Sequence, residues 1–173
     1  MKKYKLTDET RQLFDRTLHR IVALRDFGNI KEGDIGGWIE KEKNLSHEGL
    51  CWIYYNSTVC DNAKVYGNVI VLENAKVGGG AKVGGDEIIR GDVEIYNKAD
   101  YIVFKNWWSS GRYFTWTRSN NMWSVGCFYG TGDELIKKAY EDSEDKGKHY
   151  EEIVEYVNKC VLKSNNESKD VQI

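Results

Sequence analysis

From Cys51 to Tyr101 the chain repeats a small residue, a variable residue and a β-branched residue every six positions. Ser57-Thr58-Val59, Ala63-Lys64-Val65, Val69-Ile70-Val71, Ala75-Lys76-Val77 and Ala81-Lys82-Val83 keep one register, which continues through Ile89, Val93-Ile95 and Ala99-Tyr101. Turn-forming pairs such as Asp61-Asn62, Gly67-Asn68 and Gly79-Gly80 lie between the triplets. A fixed short period decides the architecture before any single residue does. Each repeat is a short strand plus a corner, and three strands close one triangular coil. Residues two apart on a strand share a face, so Ala63 and Val65 point inward and Lys64 outward. Residues eighteen apart then stack in successive coils about 4.8 Å apart. The predicted inner columns are Ile53-Val71-Ile89, Val59-Val77-Ile95 and Val65-Val83-Tyr101.

This pattern resembles the left-handed β-helix of hexapeptide-repeat proteins, and the handedness comes from that resemblance. The wording Ala63-Lys64-Val65-Tyr66-Gly67-Asn68 is similar to repeat proteins encoded by phages and prophages. So are Lys5 to Thr10, Leu24 to Gly28, Gly36-Gly37-Trp38-Ile39-Glu40, Asn44-Leu45-Ser46 and Val125 to Thr131. The resemblance implies a fold and a source more than a mechanism. One repeat departs from the rule: Glu87 stands where a small inward residue belongs. A lone buried carboxylate is costly, so the reading is a bulge that turns it outward, or else a carboxylate facing a lateral groove.

The expected fold class is mainly β. Residues 1–50 form a β-hairpin cap and an irregular lead-in, and Ile35, eighteen before Ile53, suggests a loose first coil. Residues 51–101 are about three regular coils. Residues 102–162 form an aromatic β-meander followed by a helical hairpin, and 163–173 a flexible tail. Thr131-Gly132-Asp133-Glu134 has capping-box spacing, and Lys146-Gly147 is the expected break between two helices. The N-terminal hairpin and the aromatic segment are expected to cover the two open ends of the prism.

The chain has 173 residues, a formal net charge of −2 and no proline. Near-neutral charge gives no global pull toward nucleic acid or a membrane. No apolar run approaches the about 20 residues of a membrane span. Cys51, Cys60, Cys127 and Cys160 show no metal-ligand or redox spacing, which reads as a reduced, cytoplasmic protein with no cofactor.

Hexapeptide-repeat enzymes are chiefly acyltransferases, with a histidine base at a subunit interface, and zinc carbonic anhydrases. The three histidines here, His19, His47 and His149, lie far apart in sequence. A structural role is expected for each. The stronger candidate is the stretch from Tyr101 to Gly132, which lacks Asp and Glu and holds four of the six tryptophans with Lys105, Arg112 and Arg118. Alternation places Arg112, Phe114, Trp116 and Arg118 on one strand face, with Thr117 on the other. With Trp108, Ser109 and Ser110 they compose a candidate surface for a nucleotide-like anion or a host protein. The competing reading makes Phe104, Trp107, Trp123 and Phe128 an apolar plug. The favoured function is a non-catalytic phage or prophage binding protein, a dimer or trimer, that counters host defence. The alternatives are a polymer-forming structural protein and a hexapeptide acyltransferase acting through His47 or a histidine across an interface.

Overall fold

The computed structural model describes residues 1–106 and 111–167, with the side chains beyond Val161 left undescribed. The chain opens with a hairpin, β1 (Tyr4–Leu13) and β2 (Arg16–Ala23), followed by β3 (Ile35–Ile39). The prism is built from two-residue strands: β4 (Trp52–Ile53), β5 (Thr58–Val59), β6 (Lys64–Val65), β7 (Ile70–Val71), β8 (Lys76–Val77), β9 (Lys82–Val83), β10 (Ile88–Ile89) and β11 (Glu94–Ile95). The meander is β12 (Tyr101–Lys105), β13 (Tyr113–Thr117), β14 (Met122–Val125) and β15 (Phe128–Gly130). Helices α1 (Gly132–Asp142) and α2 (Glu144–Glu167) complete the chain.

The expected mainly β architecture, a short β-helix with a hairpin before it and a meander and helices after it, is what the structure has. Pairing in the prism is parallel with the eighteen-residue step, as in Lys64↔Lys82 and Ile70↔Ile88. The three faces are β3-β5-β8-β11, β4-β7-β10 and β6-β9. Val59, Val71, Val77, Val83, Ile53, Ile89 and Ile95 are all fully buried. Tyr101 ends its column half-buried, and its hydroxyl donates to Lys82 O at 3.0 Å.

The lead-in coil differs from expectation. Ile35 is 59% exposed, and the stacked residues are Ile39 on Val59 and Leu45 on Val65. Their step is twenty residues, so the corner between Leu45 and Cys51 holds two more residues than later corners. Gly36 and Gly37 cover Ile53 instead, and a Cβ on Gly37 would come within 2.5 Å of Ile53 Cγ2.

The hairpin extends one face: β2 pairs β3, and β3 pairs β5. It also brings Lys3 under the first regular coil. Lys3 is fully buried, and Nζ donates to the carbonyl oxygens of Glu48 (3.4 Å), Gly49 (3.4 Å) and Cys51 (2.8 Å). Burial holds the Lys3 pKa below its ordinary value. At the other end Ser119 Oγ accepts from Glu94 N–H at 2.9 Å, and Asp100 Oδ2 accepts from the N–H groups of Tyr96 (2.7 Å) and Asn97 (2.9 Å).

The aromatic plug exists but covers something else. Phe114, Trp116, Trp123 and Val125 are buried against Leu135, Ala139, Tyr150, Val154 and Val157 of the helices, with Phe104 and Phe128 at the margin. They form a second core, separate from the prism core. Trp107 lies outside the described residues. The Thr131 cap and its Glu134 partner form as expected. The helix break comes at Ser143, not at Lys146-Gly147. Gly147 is helical, and the Tyr140 ring fills the place a Cβ would take, at 2.2 Å. Helix α2 also runs through 163–167 of the expected tail, whereas 168–173 lie outside the described residues.

Glu87 makes no bulge. Ile88 and Ile89 keep register, and Glu87 stays inward, 6% exposed, in the column above Val69. Its carboxylate folds back over Gly85, where a Cβ would lie 2.6 Å from Oε2, and Oε2 has no hydrogen-bond partner among the described residues. Burial pushes its pKa above the ordinary 4.5.

Two outcomes follow from this packing. The fold favours protonated Glu87, so its contribution to stability falls as pH rises from the ordinary value of 4.5 toward the raised one. Glu87→Val should therefore unfold at higher temperature than wild type at pH 8, by about 1–3 kcal/mol in stability, with the gap closing near pH 4.5. Gly67 has φ +72°, and a Cβ there would meet Gly85 O at 2.8 Å, whereas Gly80 has open space. Gly67→Ala should lose about 1–3 kcal/mol and Gly80→Ala almost nothing, both read by thermal unfolding.

Candidate functional site

The histidines separate by place. His19 sits on β2 with Nδ1 3.3 Å from Thr7 O, at the irregular stretch of the hairpin. His149 lies on α2. His47 lies in the two-residue expansion of the lead-in corner, against the prism. It lines an open cavity of about 570 Å³ with Glu42, Lys43, Leu45, Ser46, Lys64, Val65 and Tyr66.

The chain positions His47 tightly. Its ring stacks on Tyr4 with centroids 4.4 Å apart. Lys3 N–H donates to Nδ1 at 3.1 Å, so the neutral ring carries its proton on Nε2. Nε2 is 2.9 Å from Glu42 Oε1. Lys2 Nζ approaches the same oxygen at 2.6 Å. The Lys2 hydrogen bond, then that of His47, holds the Glu42 carboxyl below the ordinary carboxylate range. The cavity wall therefore carries a carboxylate oriented by an imidazole N–H, and Lys64 and Tyr66 also line it. Sequence reading singled out His47 but not Glu42. Spacing alone, five residues from a short 3-10 turn (Glu42–Asn44) into an irregular corner, carries no signal for that pair.

The aromatic segment is arranged differently from the expected clamp. Phe114 (0% exposed) and Trp116 (2%) face the helices and belong to the second core, and Trp116 Nε1 donates to Asn121 Oδ1 at 2.9 Å. Neither ring offers a face to a ligand. Thr117 is buried too, and its hydroxyl lies 2.7 Å from Asn120 Oδ1. Arg118 ties the meander to the end of the prism: Nε donates to Ala99 O at 3.0 Å and its N–H to Asp100 O at 2.8 Å. Arg112 instead lines clefts beside Gly126, and its charge helps hold Asp142 below the ordinary range. The two arginines thus do not flank one site. The core needed the aromatic rings, which alternation alone could not distinguish from a stacking surface. Trp108, Ser109 and Ser110 lie outside the described residues.

All four cysteines are free thiols, and burial raises Cys60 to about 11. Among the described residues no helix is long and apolar enough to cross a membrane, and no three His, Cys, Asp or Glu side chains are grouped to hold a metal ion.

No protein-family model matches the chain. Over 77 residues it is 39% identical to a protein of Escherichia coli (strain K12) named "Uncharacterized acetyltransferase YdcK". The match covers 39% of this chain and 24% of that protein, so the chain spans about a quarter of the length of the curated relative it matches. The chain is similar over that stretch to a protein named as an acetyltransferase, and its β-helix is an architecture consistent with that likeness.

Proposed function

We propose that the chain is an acyltransferase of the hexapeptide-repeat kind, acting at the cavity that His47 lines. The observation that carries this reading is the Glu42–His47 pair on the wall of a cavity against the prism. The similarity to a protein named acetyltransferase supports it. The reaction moves an acyl group from a thioester to an amine or hydroxyl. The acceptor loses a proton, and the thiol leaves. Because Nδ1 is engaged by Lys3, His47 serves as the donor that orients Glu42, and the Glu42 carboxylate takes the acceptor proton. Its lowered pKa makes it a weak base, so most of the acceleration comes from holding donor and acceptor together. A second copy packed along a coil face, in a dimer or trimer, would close the open side of the cavity.

One observation favours a second reading, binding without turnover of a small anion or a host protein. Both His47 nitrogens are already engaged, so no free lone pair faces the cavity.

The test is release of free thiol from acetyl-CoA, with panels of amine, sugar and amino-acid acceptors. Turnover is expected, and Glu42→Gln and His47→Gln should each lower kcat by about 100-fold. Thermal unfolding of both variants separates lost chemistry from lost structure, since His47 also packs on Tyr4. Absence of thiol release with every acceptor defeats the acyltransferase and leaves the binding protein.

A further inference from the structure

The side of the meander away from the helices faces the last coil, and one residue there is chemically incomplete. Trp123 and Val125 of β14 are buried on the helix side, so Ser124 between them faces the prism. Ser124 is 6% exposed, and its Oγ has no hydrogen-bond partner among the described residues. Burying a hydroxyl without a partner is costly, and native proteins leave few of them so.

Ser124 lines a cleft of about 200 Å³ whose other walls are Asp86, Ile88, Arg112, Tyr113 and Gly126. Asp86 comes from a corner of the last coil, where Asn68 Nδ2 donates to its Oδ1 at 2.6 Å. Arg112 runs along the tight turn at Gly126, whose φ is +58° and where a Cβ would come within 3.2 Å of Arg112 Cδ. Ile88 and Tyr113 add apolar surface. The cleft therefore brings a guanidinium, a carboxylate and an orphaned hydroxyl to one small space between two separately built cores.

That set selects its ligand. A guanidinium fork matches a carboxylate, a carboxylate matches an ammonium, and a hydroxyl both donates and accepts. The volume lies below the about 300–1,000 Å³ of sites for drug-sized molecules. A nucleotide, the class suggested by the aromatic sequence, is too large, and Asp86 would repel its phosphate. A compact molecule with both charges on neighbouring atoms fits size and sign together. We propose that this cleft binds a free amino acid, with its carboxylate on Arg112, its ammonium on Asp86 and one further hydrogen bond to Ser124 Oγ. The site is independent of the cavity at His47 and of acyl transfer.

Isothermal titration of the full chain with each common amino acid, and with acetate and ethylamine as single-charge probes, tests this. At least one amino acid should bind with Kd below about 1 mM, and neither single-charge probe should match it. Ser124→Ala and Asp86→Asn should each weaken binding at least about tenfold. Ser124→Ala without ligand should melt at the wild-type temperature or above, because it removes a hydroxyl that has no hydrogen-bond partner among the described residues. The proposal is overturned if no amino acid gives heat or a shift in Tm at about 20 mM. It is equally overturned if Ser124→Ala binds as wild type, or if acetate binds as well as the amino acid.

Discussion

A parallel β-helix has no open edge along its length, but each end leaves a coil of backbone groups with no neighbour. The fold depends on how those groups are satisfied. At the N-terminal end a fully buried ammonium takes three carbonyl oxygens, and the Phe27 ring lies 5.1 Å from Lys3 Nζ to support the charge. Asn44 does related work one corner away, donating to Asp61 O at 3.2 Å and Ala63 O at 2.9 Å. At the C-terminal end the exposed groups are N–H donors, and a carboxylate and a hydroxyl receive them. Each end therefore has caps chosen for the groups it leaves open. A chain of so few coils needs both, since its end groups are a large share of its backbone.

The caps also account for where the candidate sites lie. Lys3 donates its N–H to His47 while its ammonium caps the first coil, so one of the contacts that seats the cap also fixes the imidazole tautomer. At the other end, Ser119 and Asp100 dock the meander on the last coil. Arg90 strengthens that docking, donating to Cys127 O at 3.1 Å and to Phe128 O at 2.5 Å while its guanidinium lies 5.0 Å from the Tyr129 ring. The small cleft lies at this seam. Both sites thus form where regular repeats meet irregular chain.

The prism was legible because its signal is repeated: each inward column is stated three times in the sequence, so one odd member such as Glu87 cannot hide it. Glu87 itself was misread because a bulge and a folded-back carboxylate leave the same sequence trace, and the room that Gly85 provides appears only in three dimensions. The first coil escapes the eighteen-residue count because two additional corner residues make its step twenty: Ile39 stacks on Val59, and Ile35 takes no inward place over Ile53. The aromatic segment was recognised as special but assigned to the wrong partner. Nothing in Phe114 or Trp116 says whether a ring faces a ligand or a helix, and the amphipathic helices that follow claimed both. Lys3 gave no signal at all, since one lysine near a terminus looks like any other.

The coil repeat sets a spacing between the two ends. The cavity at His47 belongs to the first turns of the prism, and the cleft at Ser124 to its last. Chains related by gain or loss of whole eighteen-residue coils would keep both end structures intact and change only their separation, in steps of about 4.8 Å. The prism then works as a ruler with discrete marks: its length can vary by whole coils, while a partial coil would misalign the column on which the caps depend.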